Sequence, residues 1–111
     1  MCNPNNPTGT LIRTEIIEKI CQAINGLVVI DEAYIEFSDQ ESAAQILHKF
    51  DNLVILRTLS KAWGMAGARC GIILADKRII NTLLYVQAPF SFSIPTQDSV
   101  REGLTHSTPL K

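Results

Sequence analysis

Apolar positions along the chain fall into two periodicities. Ile16, Ile17, Ile20 and Ile24 recur at helical spacing and predict a helix over residues 14–25, with Thr14 as its cap and Asn25-Gly26 as its stop. Residues 27–30, Leu-Val-Val-Ile, form a short β-branched run without alternation, as expected of a strand covered on both faces. Residues 53–56 and 70–74 read as strands of the same kind. Ser38-Asp39-Gln40-Glu41 has capping-box spacing and predicts a helix running to about Lys49. Asp76 predicts the cap of a helix to about Gln87, with Ile79, Ile80, Leu83 and Leu84 inward, until Pro89 breaks it. A short helix is expected from Thr96 to Leu104, followed by an unstructured tail at 105–111. Strand and helix alternate, so the fold class is α/β with a mostly parallel sheet.

Composition narrows the functional classes. The chain has 111 residues, 46% of them hydrophobic and 19% charged, which suits one small soluble domain or a piece of a larger one. A net charge of −1 gives no electrostatic footprint for nucleic acid or an anionic membrane, so neither is expected as a partner. Cys2, Cys21 and Cys70 lack metal-ligand spacing and are expected as free thiols in a reducing cytoplasm. His48 and His106 stand alone, and no metal site is expected.

The chemistry concentrates after the strands. The run 53–56 leads into Thr58-Leu59-Ser60-Lys61-Ala62-Trp63-Gly64-Met65-Ala66-Gly67-Ala68-Arg69, and the run 27–30 leads into Asp31-Glu32-Ala33-Tyr34. In an open α/β sheet, ligands bind beyond the carboxyl ends of the strands, and these two ends should share an edge. Lys61 offers an amine that can form an imine with an aldehyde, while Thr58, Ser60 and Arg69 offer a grip for a phosphate. A cofactor that is both aldehyde and phosphate ester, pyridoxal 5'-phosphate, fits that set. Singly, each residue has a plainer reading: Asp31 as a turn residue, Ser60 as a cap, Lys61 as a solvated amine, Arg69 as the partner of a surface carboxylate.

Asn6-Pro7-Thr8-Gly9, Asp31-Glu32-Ala33-Tyr34, Ser60-Lys61 and Arg69 eight residues later resemble, in order and spacing, the fold type I aminotransferases that use pyridoxal phosphate. Residues 3–9, 31–37 and 57–71 together are most similar to the histidinol-phosphate aminotransferases within that family. The resemblance implies that Asn6 and Tyr34 hydrogen-bond the cofactor's phenolic oxygen and that Asp31 pairs with its protonated ring nitrogen. It implies that Lys61 carries the imine and moves the proton at the substrate's Cα, and that Thr58, Ser60 and Arg69 hold the phosphate. The family often has a cis bond before the motif proline, which makes Asn6-Pro7 a candidate for one.

The resemblance also implies a fragment. Residues 1–104 correspond to part of the large, cofactor-binding domain, and 105–111 to a disordered or truncated tail. The glycine-rich phosphate loop, the ring that stacks on the cofactor and the small domain with its substrate-binding arginine have no counterpart here. The implied reaction moves an amino group between a small-molecule amino donor, histidinol phosphate, and a 2-oxo acid, 2-oxoglutarate, in histidine biosynthesis, by a cytoplasmic homodimer. The isolated chain is expected to be inactive. A related aminotransferase, a threonine-phosphate decarboxylase-like enzyme and a non-catalytic remnant stay open as alternatives. A nucleotide-binding domain is disfavoured because no Gly-x-Gly-x-x-Gly follows a strand.

Overall fold

The computed structural model describes residues 1–110 of the chain. Helix α1 (Thr14–Ala23) is followed by strand β1 (Val28–Asp31), 3₁₀ turns at Ile35–Phe37 and Ala43–Lys49, and strand β2 (Leu53–Thr58). A 3₁₀ turn at Ala66–Ala68 precedes strand β3 (Gly71–Ala75), helix α2 (Lys77–Val86) and helix α3 (Ile94–His106). The sheet order is β1-β2-β3. β1 and β2 run parallel, with Val28 opposite Leu53 and Asp31 opposite Leu56. Cys2 extends the parallel arrangement by bridging to Asp31 on the outer side of β1. β3 turns back antiparallel to β2, because residues 59–70 form a loop rather than a crossover helix. The α/β expectation therefore holds, in a mixed sheet whose parallel part carries the residues of interest.

One apolar layer holds this together. Ile17 and Cys21 of α1, Ala43 and Ile46 of the second 3₁₀ turn, Val28 and Ile30 of β1, and Leu53 and Ile55 of β2 form the buried core. Burial pushes the Cys21 thiol up from its ordinary pKa. The expectation of strands covered on both faces fails for β1: Val28 and Ile30 are buried, but Val29 on the opposite face is exposed. No residue of α2 or α3 is fully buried, and Tyr85, Val86, Phe90 and Ile94 are largely exposed. The radius of gyration, 15.0 Å, exceeds the roughly 13 Å of a closed domain of this length. That difference agrees with an apolar layer left open on one side.

Several local expectations are corrected. α1 starts behind Arg13, which makes no side-chain cap, so Thr14 is the first helical residue. Ile17, Ile20 and Cys21 face the core, whereas Ile16 is exposed and Ile24 lies beyond the last turn. The Ser38–Glu41 capping box does not form; Ser38 Oγ accepts from Gln40 N at 2.9 Å in a turn. The helix starts instead at Ala43, as a 3₁₀ turn capped by Ser42. Buried Glu32 explains the shift, since its carboxylate accepts from Ser42 Oγ at 2.6 Å and from Ala43 N at 2.7 Å. A carboxylate at a helix start satisfies N–H groups that have no partner within the helix. Asp76 does cap α2, its Oδ1 accepting from Arg78 N at 2.8 Å, but Leu83 and Leu84 stay exposed rather than inward. α3 is capped by Ser93 and reaches His106, so it begins before Thr96 and takes two residues from the stretch expected as tail. Residues 107–110 carry no helix or strand, and Lys111 lies outside the described residues.

Asn52 ties α1 to the sheet. Its Nδ2 lies 3.0 Å from the Cys21 carbonyl oxygen, 3.2 Å from that of Ile24 and 3.1 Å from that of Gly26, where the helix ends and the chain enters β1. Asn52→Asp turns this donor into a carboxylate facing three carbonyls. It is expected to cost about 1–3 kcal/mol in a urea titration of the purified protein. A change below about 0.5 kcal/mol, the size typical of a surface substitution, would contradict this role.

Candidate cofactor site

β1 and β2 deliver their carboxyl ends to one edge because they are parallel. Asp31, the last residue of β1, lies opposite Leu56, and Glu32 N donates to Leu56 O at 2.8 Å. Two residues later β2 ends at Thr58. From there the chain makes a tight loop: Gly64 N donates to Lys61 O and Met65 N to Leu59 O, both at 2.9 Å. Gly64 takes φ +66°, a left-handed conformation that costs glycine little. Leu59 and Ala62 are buried and pin the loop, which leaves Lys61 exposed between them.

Asn6, Tyr34 and Lys61 come together. Asn6 Nδ2 donates to Tyr34 Oη at 2.7 Å, and Lys61 Nζ stands 5.5 Å from the centre of the Tyr34 ring. That distance is within the range of a cation–π contact. Asn6 is held by the turn of residues 5–10, in which Gly9 N donates to Asn5 O at 2.7 Å and Asn5 N to Thr10 O at 2.9 Å. The Asn6-Pro7 bond is cis, as is Asn3-Pro4. Asn3 is fully buried and anchors the segment, donating through Nδ2 to Ile12 O at 3.0 Å and accepting from Ile12 N at 2.7 Å.

Asp31 combines the turn role and an open acceptor. Its Oδ1 accepts from Ala33 N at 3.0 Å, while among the described residues Oδ2 meets only the Cys2 thiol, at 3.9 Å. Among the described residues no hydrogen bond joins Asp31 to Lys61, Tyr34 or Asn6, so it belongs to the same edge without touching them. Thr58 Oγ1 accepts from Ser60 N at 3.1 Å and reaches Cys70 O at 3.5 Å, which brings Thr58 and Ser60 together. Arg69 closes the loop in the left-handed conformation, φ 51° and ψ 37°, with Nη1 donating to Ala66 O at 3.3 Å. Leu59 N donates to Cys70 O at 3.2 Å, so Arg69 sits beside the start of the loop. The plainer reading of Arg69, a partner for a surface carboxylate, finds no ion pair among the described residues.

These residue types could hold a molecule carrying an aldehyde, a ring nitrogen, a phenolic oxygen and a phosphate. An exposed amine and an Asn–Tyr pair stand together, while among the described residues a carboxylate oxygen free of strong donors lies at the end of β1 and a guanidinium without a carboxylate at the end of the lysine loop. A cleft of about 390 Å³ borders Asn6 and Tyr34 but leaves Lys61, Asp31 and Arg69 outside its walls. The edge as a whole is thus an open platform rather than an enclosed pocket. Glu32, Glu36, Arg57 and Trp63 form a second tier beneath it. Glu36 Oε1 accepts from Arg57 Nη2 at 2.6 Å and from Trp63 Nε1 at 3.3 Å, and Arg57 Nη1 lies 3.6 Å from Glu32 Oε2. The only sequence signal for this tier is charge set next to buried strands: Glu32 after β1 and Arg57 inside β2.

Residues 1–109 match the family described as aminotransferase class I and II. The chain is 48% identical over 106 residues to histidinol-phosphate aminotransferase of Shewanella oneidensis, covering 95% of this chain and 27% of that protein. Its structure superposes with a TM-score of 0.85 on L-threonine-O-3-phosphate decarboxylase from Porphyromonas gingivalis, at 27% identity over 96% of this chain and 33% of that one. It superposes with a TM-score of 0.78 on histidinol-phosphate aminotransferase from Sinorhizobium meliloti in complex with pyridoxal-5'-phosphate, at 29% identity over 95% of this chain and 32% of that one. The chain spans only about a third or less of the length of each.

Arg69 holds a left-handed backbone that glycine adopts at lower cost. Arg69→Gly removes the guanidinium while relieving a left-handed backbone, so thermal stability is expected to hold or to rise by up to about 1 kcal/mol. A loss of more than about 1 kcal/mol in a melting experiment would show that Arg69 instead braces the loop.

Proposed function

The chain belongs to the aminotransferase class I and II family, and on that premise we propose that it binds pyridoxal 5'-phosphate through Asn6, Asp31, Tyr34, Thr58, Ser60, Lys61 and Arg69. Within the full-length protein it serves amino-group transfer between histidinol phosphate and 2-oxoglutarate, in histidine biosynthesis. The observation that carries this reading is the amine of Lys61 held 5.5 Å from the Tyr34 ring while Asn6 grips the Tyr34 hydroxyl, at the edge that also receives Asp31.

Bound there, pyridoxal phosphate supplies an electron sink for the carbanion formed at a substrate's Cα. Asp31 Oδ2, which meets no strong donor among the described residues, would accept from the ring nitrogen and favour its protonated form. Asn6 Nδ2 and Tyr34 Oη, already joined at 2.7 Å, would donate to the phenolic oxygen. Thr58 and Ser60 supply hydroxyl donors to the phosphate, and Arg69 supplies charge in a planar, two-pronged form. Lys61 Nζ would be the covalent attachment point and the amine placed to take and return a proton at Cα. We extend the proposal to a cytoplasmic homodimer, since partner residues would enclose what is here an open platform.

A decarboxylase reading also has a specific support, the TM-score of 0.85 with L-threonine-O-3-phosphate decarboxylase. Sequence identity favours transamination, at 48% with the Shewanella aminotransferase against 27% with the decarboxylase. The products separate the two: glutamate from the first, carbon dioxide from the second.

Borohydride treatment of the full-length protein with pyridoxal phosphate should fix the label on Lys61, and Lys61→Ala should abolish it. Label on Lys49 or Lys77 in peptide maps would remove the assignment. Asp31→Asn keeps the shape but leaves the ring nitrogen unpaired, and breaking such a pair typically costs about 3–5 kcal/mol. The expected fall in turnover is roughly a hundred- to several-thousand-fold, whereas a near-normal rate would place the ring elsewhere.

A further inference from the structure

Resting on the reading just given, we infer that Glu36 is a positioning residue that sets Lys61 against Tyr34. The candidate site is divided between two arms: residues 31–37 after β1 and residues 58–69 after β2. Backbone pairing joins them only as far as Glu32 N and Leu56 O. Among the described residues, no backbone hydrogen bond links residues 33–37 to residues 59–69. Yet the separation of these arms decides where the Lys61 amine stands relative to the Asn6–Tyr34 pair.

The link is made by side chains. Glu36 Oε1 accepts from Arg57 Nη2 at 2.6 Å and from Trp63 Nε1 at 3.3 Å. Glu36 follows Tyr34 by two residues and Trp63 follows Lys61 by two, so this bond spans the same gap as the contact between Lys61 and Tyr34. Arg57 fixes the acceptor to the sheet, because its other terminal nitrogen lies 3.6 Å from buried Glu32, which Ser42 and Ala43 hold in turn. The side chains of Glu36 and Arg57 are only 9% and 24% exposed, so the charged bonds between them are partly shielded from water. A merely structural ion pair would need only Arg57. The indole N–H, donated to the same oxygen from the lysine loop, is what turns the pair into a spacer between the arms.

The test uses the full-length protein, pyridoxal phosphate and borohydride, comparing wild type with Glu36→Ala, Glu36→Gln and Trp63→Phe. Cofactor affinity, the rate of covalent capture by Lys61 at saturating cofactor, and melting temperature are measured separately. In capture the Lys61 amine condenses with the aldehyde carbon, water leaves, and hydride from borohydride reduces the resulting C=N bond. Glu36→Ala should slow capture about tenfold and Trp63→Phe about threefold, because a misplaced amine loses effective concentration at the aldehyde. Glu36→Gln keeps an oxygen for Trp63 and should recover most of the rate. Capture within twofold of wild type in both Glu36→Ala and Trp63→Phe would overturn the inference, whatever their melting temperatures. If Glu36→Ala does not fold, Trp63→Phe decides alone, since it removes the N–H donor from the bridge while keeping an aromatic ring. Wild type without capture at Lys61 would remove the functional reading and this inference together; wild-type capture with unaffected variants would remove this inference only.

Discussion

The parallel pairing of β1 with β2 is the constraint on which the site depends. Parallel strands end on the same side, so Asp31 opposite Leu56 places the 31–37 arm and the lysine loop on one edge. An antiparallel pairing would have sent them to opposite ends of the sheet. The pairing is held from below by the layer of Ile17, Val28, Ile30, Leu53 and Ile55, whose burial fixes which strand faces turn inward. The same sheet continues outward through Cys2, which brings the segment carrying Asn3 and Asn6 to the outer side of β1. Three stretches far apart in sequence thereby converge through one register.

Polar groups then set the positions of the arms. Asn3 locks the N-terminal segment through Ile12, and Glu32 anchors the turn at Ala43–Lys49. Glu36 joins Arg57 to Trp63. Asn3, Glu32 and Glu36 are buried or half-buried groups with partners supplied, whereas the buried Nε of Arg57 has none among the described residues. The apolar residues of α2, β3 and α3 form no comparable core, and Phe90 is 98% exposed.

Much of this was legible in the residues. The strands came from continuous β-branched runs, the α2 cap from Asp76, and the α/β class from alternation of the two periods. The family followed from four ordered motifs, and residues 1–109 match it. What escaped was tertiary. Ser42 rather than Ser38 starts the turn because a carboxylate ten residues earlier in the chain captures it, and no local spacing encodes that. Val29 reads like its neighbours but faces outward on a strand covered on one side. Glu36 and Trp63 meet 27 residues apart, so their bond could be seen only once β1 and β2 had been paired.

The central claim is that this edge holds pyridoxal phosphate with Lys61 at the aldehyde and Asp31 at the ring nitrogen. Diffraction from crystals of the full-length protein grown with the cofactor tests it most directly. The account predicts continuous density from Lys61 Nζ into the cofactor, with an Asp31 oxygen about 2.7–2.9 Å from the ring nitrogen. Cofactor density that is discontinuous with Lys61, or a ring nitrogen facing away from Asp31, would contradict it.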